Sequence, residues 1–243
     1  MRGYSLGLSI GGGVVIPEHY SRDIALRCQS LIRELRPVVK GGLADDRRFG
    51  GPLETTFLLA LATPMIVLPI ERIFKPAEPG AAPAGDDRKL DPALAEEMAD
   101  VLGPMQKFGA APFTGRDHWS YVPGYQPFNI ADAWPRDLLC DLNATEAFAC
   151  ASDTPAARIL RDLRNALAHG GIAYLDADGR QTDRVSAMLA FAGTKTDRNR
   201  RLIGLNILRI GEEEFSTFLM AWADWLARPR VRTVLNRLNP LAG

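Results

Sequence analysis

The residues with the chemistry of a phosphate site are gathered in one hexapeptide, Arg164-Asn165-Ala166-Leu167-Ala168-His169, closed by Gly170-Gly171. An imidazole titrates near neutrality and can take or give a proton, while a guanidinium presents a planar fork to two phosphate oxygens, a geometry lysine does not reproduce. Asn165 stands four residues before His169, one helical turn below it, where its amide can orient the ring or donate to phosphate. Arg158 and Arg161 extend the same strip and are candidates to track a phosphate backbone, although Arg158 can instead pair with Asp162 at i,i+4. The candidate catalytic residues are therefore Arg164, Asn165 and His169, and the candidate binding residues Arg158 and Arg161.

Helical periodicity must position them. With Leu163 set at zero and about 100° per residue, Ile159, Leu160, Ala166, Leu167 and Gly170 fall within about 60° of it and form the buried stripe. On the same count Arg161, Asn165, Arg158 and His169 lie near 160°, 200°, 220° and 240°, with Arg164 on the flank near 100°. His169 thus points away from its helix's core. A second reading also accounts for it: a basic residue in the last turn favours the negative end of the macrodipole. Thr154-Pro155 marks the start of this helix and the two glycines its end.

The flanking elements read as mainly helical. A first helix begins near Pro17, runs through Ile24, Cys28, Leu31, Ile32 and Leu35 at helical spacing, and ends at Pro37 and Gly41-Gly42. The stretch from Leu53 to about Phe74 is apolar on most faces, as a central helix would be, and Pro64 and Pro69 should bend or break it. Its longest apolar run, Phe57 to Ile70, is interrupted by Thr63, Pro64 and Pro69 and falls short of the roughly 20 residues a bilayer span needs. About residues 75–90, alanine, proline and glycine predict a mobile loop, followed by a short helix from Pro92 to about Leu102 capped by Asp91. From Gly103 to Asp137 there are five prolines and seven aromatics. Exposed aromatics among Lys107, Arg116 and His118 can stack on bases, but a long irregular segment more often uses such rings as anchors. One short helix is expected from Asp137 to about Ala151. Then the period changes: Ile172–Leu175, Ala187–Phe191 and Leu202–Ile210 read as antiparallel strands about the Asp-Ala-Asp-Gly turn. Glu212-Glu213-Glu214 opens a last helix with Phe215, Phe218, Leu219, Trp222 and Leu226 on one face.

Composition narrows the classes. The 243 residues hold 29 Lys plus Arg against 29 Asp plus Glu, so no bulk positive charge holds this chain on nucleic acid, and any such contact must be a local patch. Cys28, Cys140 and Cys150 are odd in number and lack C-x-x-C spacing, which argues against a disulfide framework or a zinc site and fits a reducing cytoplasm. Met1–Ile10 lacks the pattern of a signal peptide. Gly11-Gly12-Gly13 lacks the Lys-Ser or Lys-Thr of a phosphate loop and reads as a turn. Glu54 and Glu71 are too far apart along one helix for paired carboxylate catalysis. Arg198, Arg200 and Arg201 are diluted by Asp197 and Asn199 and read as a solvated loop.

The R-x-x-x-x-H pattern of Arg164 and His169 at a helix end, with helices before it and an acidic return helix after it, resembles the HEPN superfamily. The run from Glu54-Thr55-Thr56-Phe57 to Pro69-Ile70-Glu71-Arg72, with Leu163 to Gly170 later, is similar more narrowly to the pEK499-type prokaryotic HEPN group. The resemblance implies a HEPN-like helical bundle, one domain over residues 1–243, with a small antiparallel β insertion between the motif helix and the C-terminal helix. It implies pairing of two motifs in a homodimer and a metal-independent endoribonuclease of a toxin or defence type, with no cofactor. RNA and an antitoxin or defence-system partner, not a membrane, are the expected partners. The alternative is a non-catalytic module binding RNA, a nucleotide or a protein. One toxin subgroup has a tyrosine two residues past the histidine, where this chain has Gly171.

Overall fold

A computed structural model describes residues 18–43, 53–75, 85–115, 118–132, 134–199 and 201–228. The expectations for Met1–Ile10, Gly11–Gly13, Arg116, Arg200 and residues 76–84 lie outside these. Among the described residues there are seven α-helices and a four-stranded antiparallel sheet.

The first helix, α1 (Tyr20–Val38), keeps Pro37 inside it and continues as a π-helical turn, Val39–Leu43, so Pro37 does not end it. A proline forfeits its own N–H and crowds the carbonyl four residues back, which a local change of winding absorbs. The buried stripe is Ser21, Ala25, Cys28, Gln29 and Ile32. Leu31 and Leu35, expected in the core, are 43% and 42% exposed. Small side chains on this stripe let α1 lie close to its neighbours, and the Gln29 amide donates to the Met220 carbonyl and to Asp224.

Next, α2 (Glu54–Pro69) passes unbroken through Pro64 and runs into a second π-helical turn, Ile70–Phe74. Pro69 has no N–H for the Met65 carbonyl, four residues earlier. The indole Nε1 of Trp222 donates to that carbonyl instead, at 2.8 Å. Glu54–Phe74 has the length and mean hydropathy, 1.8, to cross a bilayer. Its Leu58, Ala62, Met65 and Ile66 are nevertheless fully buried within the protein, as in a core helix. After it, α3 (Pro92–Val101) is capped by Asp91, whose Oδ1 accepts the Leu94 N–H at 3.0 Å. Just before α3 the chain is pinned rather than loose. Buried Asp87 accepts from Arg72 at 2.6 Å and from Ser21 Oγ at 2.8 Å, tying the end of α2 to the start of α1.

The aromatic segment is an anchor. Phe108, Phe113, Trp119 and Tyr121 are buried, and the rings of the first three meet Phe215, Phe218 and Trp222 mostly edge to face. It also supplies a strand that its prolines and glycine conceal, β1 (Ser120–Tyr125). The helix expected to about Ala151 is two: α4 (Arg136–Asn143) and α5 (Thr145–Asp153), parted by Ala144 in extended backbone. Pro155, not Thr154, is the N-cap of α6 (Ala156–His169); the Thr154 hydroxyl turns back to the Cys150 carbonyl, and the first free N–H, of Ala156, donates to the Gln106 carbonyl at 2.8 Å.

Three strands follow, β2 (Ile172–Leu175), β3 (Met188–Thr196) and β4 (Leu202–Gly211), then α7 (Glu212–Ala227) with the expected face buried. The sheet order is β1-β4-β3-β2, so the sheet is not purely an insertion between α6 and α7: an edge strand comes from before α6. Alternation assigns its faces. Leu189, Phe191, Leu208 and Ile210 join the helical core, while Leu205 and Ile207 pack with Leu138 and Leu142 of α4.

A polar chain, buried at Asp162, Tyr121 and Asn206 and exposed at Arg158, fastens α6 to this sheet. Asp162 Oδ2 accepts from the Tyr121 hydroxyl at 2.7 Å, Oδ1 accepts from the Asn206 amide at 3.2 Å, and Arg158 Nε donates to the Tyr121 oxygen at 3.2 Å. Burial pushes the Asp162 carboxyl above the usual carboxylate range, against the hydrogen bonds that favour its charge, and pushes the Tyr121 phenol up as well.

Two outcomes follow from these contacts. Trp222→Phe keeps a ring but leaves the Met65 carbonyl buried without a donor, so urea unfolding should show a loss of about 1–3 kcal/mol; an unchanged midpoint would mean the carbonyl finds another donor. For Asp162, a folded pKa above the unfolded one gives a stability contribution that is complete below about pH 4 and lost as pH rises through the folded value. The stability of wild type relative to Asp162→Asn should therefore fall as pH is raised from about 4 towards neutrality. A difference independent of pH would show that the buried carboxyl ionises normally.

Candidate functional site

The stripe of α6 is buried as its spacing requires: Ile159, Leu160, Leu163, Ala166 and Leu167 all lie in the core. His169 and Arg161 are exposed and Asn165 is half-buried. Among the described residues no hydrogen bond holds the side chains of His169 or Asn165, so both are available at the C-terminal end of the helix. They stand about 40° apart around the axis.

Arg164 is fixed differently. Its side chain is 17% exposed, and Nη2 lies 2.9 Å from Glu71 Oε1, at the end of the α2 axis. The other Glu71 oxygen accepts from Lys75 at 2.8 Å. Arg164 Nε is buried without an acceptor among the described residues. Lys75, Arg161 and Arg164 share a crevice walled by Ile70, Phe74 and Leu160. Two of these cations, Lys75 and Arg164, share the Glu71 carboxylate. Around a single helix Arg164 and His169 point about 140° apart and are separated by about 7.5 Å of rise, so one α6 presents the fork and the imidazole to different sides.

Arg158 belongs to the fastening chain. Its Nε is engaged by Tyr121, and it reaches Asp162 through that phenol rather than as a direct i,i+4 pair. The hydrogen bond to Tyr121 raises its already high pKa.

The helix end is held by backbone. Gly170 adopts φ +73°, and the Gly171 N–H donates to the Ala166 carbonyl at 2.9 Å, the six-to-one bond of a Schellman cap. Gly171 then runs against β3: its carbonyl accepts the Ala192 N–H at 2.7 Å, and a Cβ at this position would stand 2.4 Å from the Ala192 oxygen. No tyrosine fits there unless β3 moves.

The sequence did not reveal the roles of Glu71, Tyr121 and Asn206. Glu71-x-x-x-Lys75 is an i,i+4 acid–base spacing and marks an acid presented on one face, but Glu71 was weighed only against Glu54. Glu54 lies at the opposite end of α2, 2.8 Å from Arg36. Tyr121 and Asn206 carry no local signal, since only tertiary pairing brings them to Asp162. Among the described residues no group of three or more His, Cys, Asp or Glu is placed to hold a metal ion.

No curated protein and no solved structure matches this chain. A family model does: that of HEPN pEK499 p136 matches residues 11–231. That span runs from ahead of α1 to beyond α7 and takes in the α2 axis, the motif helix and the sheet alike. The chain therefore belongs to the HEPN pEK499 p136 family.

Proposed function

We propose that this protein is a homodimeric, metal-independent endoribonuclease of a toxin or phage-defence type, working as one domain in the cytoplasm, where its free Cys28, Cys140 and Cys150 suit a reducing compartment. The observation that carries the reading is the helix end itself: an exposed imidazole beside an amide, with a guanidinium held on the flank by Glu71. RNA brings its own nucleophile. His169 takes the proton of a 2′-OH, the 2′ oxygen bonds to phosphorus, and the P–O5′ bond breaks. The departing 5′ oxygen takes a proton from the imidazolium of the second copy, leaving a 2′,3′-cyclic phosphate and a 5′-hydroxyl. Arg164 neutralises the phosphorane oxygens, Asn165 orients the ring or the phosphate, and Arg161 with Lys75 holds the adjoining backbone. The divergence of Arg164 and His169 around one helix supports a two-fold pairing of motifs, which sets the fork of one copy beside the imidazole of the other. An antitoxin or defence-system partner would act by covering this end of α6.

One observation favours the second reading, a non-catalytic module that binds RNA, a nucleotide or a protein: Glu71 already occupies Arg164 Nη2. Cleavage separates the two. Wild type incubated with mixed RNA in chelator should cut it. His169→Ala should abolish cutting while changing stability by at most about 0.5–1 kcal/mol, because the side chain is exposed. Arg164→Lys keeps the charge but loses the fork and should slow turnover by about 10²-fold. If wild type is inert, or His169→Ala cuts as fast as wild type, the binding module is the better account. Light scattering should report about twice the chain mass, as an isologous dimer requires; a strictly monomeric species that still cleaves RNA would remove the two-copy mechanism.

A further inference from the structure

Arg209 of β4 faces away from the helical core and is only 4% exposed. Its guanidinium donates to Asn143 Oδ1 at 2.8 Å and to the Leu142 carbonyl at 2.7 Å, both neutral acceptors at the end of α4. Among the described residues no carboxylate pairs with it, and burial alone lowers its pKa. A buried cation without a counter-charge is costly to keep, and it projects a positive potential through the low-dielectric wall above it. That wall is Gly179 with Leu139. A Cβ on Gly179, where φ is +80°, would lie 3.0 Å from Arg209 Nη1 and 2.8 Å from Leu139 Cδ1.

On the other side of this wall is a cavity of about 590 Å³ between the start of α4 and the turn after β2. Trp134, Pro135 and Arg136 line one side, Arg180 and Thr182 the other. Arg180 Nη1 donates to Asp178 Oδ2 at 2.8 Å, a pair open to solvent on both sides and therefore weak enough for a phosphate to share or displace. Pro135 is the N-cap of α4 and no side chain caps it, so the N–H groups of the first turn have no intrahelical acceptor. The Trp134 ring is held edge to face against Phe128, with centroids 5.7 Å apart, and forms a flat wall. Asp132 and Asp183 stand at the margin and can accept only from hydroxyls or amines.

We propose that this cavity binds a small organic phosphate bearing a flat ring, of the size of a nucleoside monophosphate. The phosphate sits on the α4 N-terminus between Arg136 and Arg180, over the charge of Arg209. The ring lies on Trp134, and hydroxyls of the connecting sugar donate to Asp132 or Asp183. The site is separate from the His169 end of α6: β2 lies between them, about 13 Å of strand at about 3.3 Å per residue. It does not rest on ribonuclease activity. The same chemistry is found in a free nucleotide and in the phosphorylated 5′ end of an RNA.

Calorimetric titration of the full chain tests the assignment with adenosine monophosphate, adenosine, inorganic phosphate and a trinucleotide with or without a 5′-phosphate. The monophosphate should bind at least tenfold more tightly than adenosine. Arg136→Ala and Arg180→Ala, both at exposed positions, should each weaken it by about tenfold, as loss of a charge-assisted bond implies. Equal affinity for monophosphate and 5′-phosphorylated trinucleotide identifies a free nucleotide as the ligand; a trinucleotide preference that needs the 5′-phosphate identifies an RNA end. Adenosine binding as well as the monophosphate, arginine variants binding like wild type, or no heat with any probe would overturn the proposal.

Discussion

Everything at the functional end of this molecule depends on how closely α6 approaches the sheet. Asp162 reaches between Tyr121 of β1 and Asn206 of β4, while Gly171 meets the backbone of β3 with no room for a Cβ. These contacts fix both the rotation of α6 about its own axis and the height at which it ends. With one side committed to the sheet and another to α2, only the sector carrying Arg161, Asn165 and His169 is left outside. A buried carboxyl is an expensive fastener, because its charge is desolvated and only partly repaid by two donors. Its value lies in direction. An apolar contact of the same area would tolerate rotation of the helix by some tens of degrees, whereas two hydrogen bonds to different strands do not.

Legibility in the sequence followed locality. The α6 and α7 faces were readable because each is a strong 3.6-residue pattern, and the Asp91 cap because a cap is decided within four residues. The Leu31 and Leu35 positions of α1 misled because periodicity shows that a helix has an apolar side without showing which side a neighbour covers. Pro37, Pro64 and Pro69 misled in the opposite sense. Each removes a donor, yet α1 runs on past Pro37 into π-helical winding, α2 carries Pro64 within it, and the Met65 carbonyl that Pro69 leaves is met by an indole on a helix more than 150 residues later. No window of sequence contains that partner. The strand β1 was hidden for a related reason: Pro123 and Gly124 break its alternation, and a bulge between Val122 and Tyr125 carries the break. At the candidate site, the exposure of His169 was visible in the helical count, while the acid that holds Arg164 was not, since it comes from another helix.

That acid bears on the chemistry by its magnitude. Glu71 is 30% exposed and Arg164 17%, and Lys75 already shares the carboxylate. A partly buried pair whose carboxylate is shared with Lys75 contributes on the order of 1 kcal/mol, at the upper end of the range for exposed pairs. A charge-assisted bond from arginine to a phosphate oxygen is worth about 1.5–3 kcal/mol, so an arriving phosphate can share or replace Glu71 at little cost. Before it arrives, the carboxylate keeps a long and flexible side chain from wandering and holds its Nη2 in one place. The Glu71 contact is thus compatible with a guanidinium poised for use, because it orders Arg164 against α2 without binding it strongly enough to withhold it.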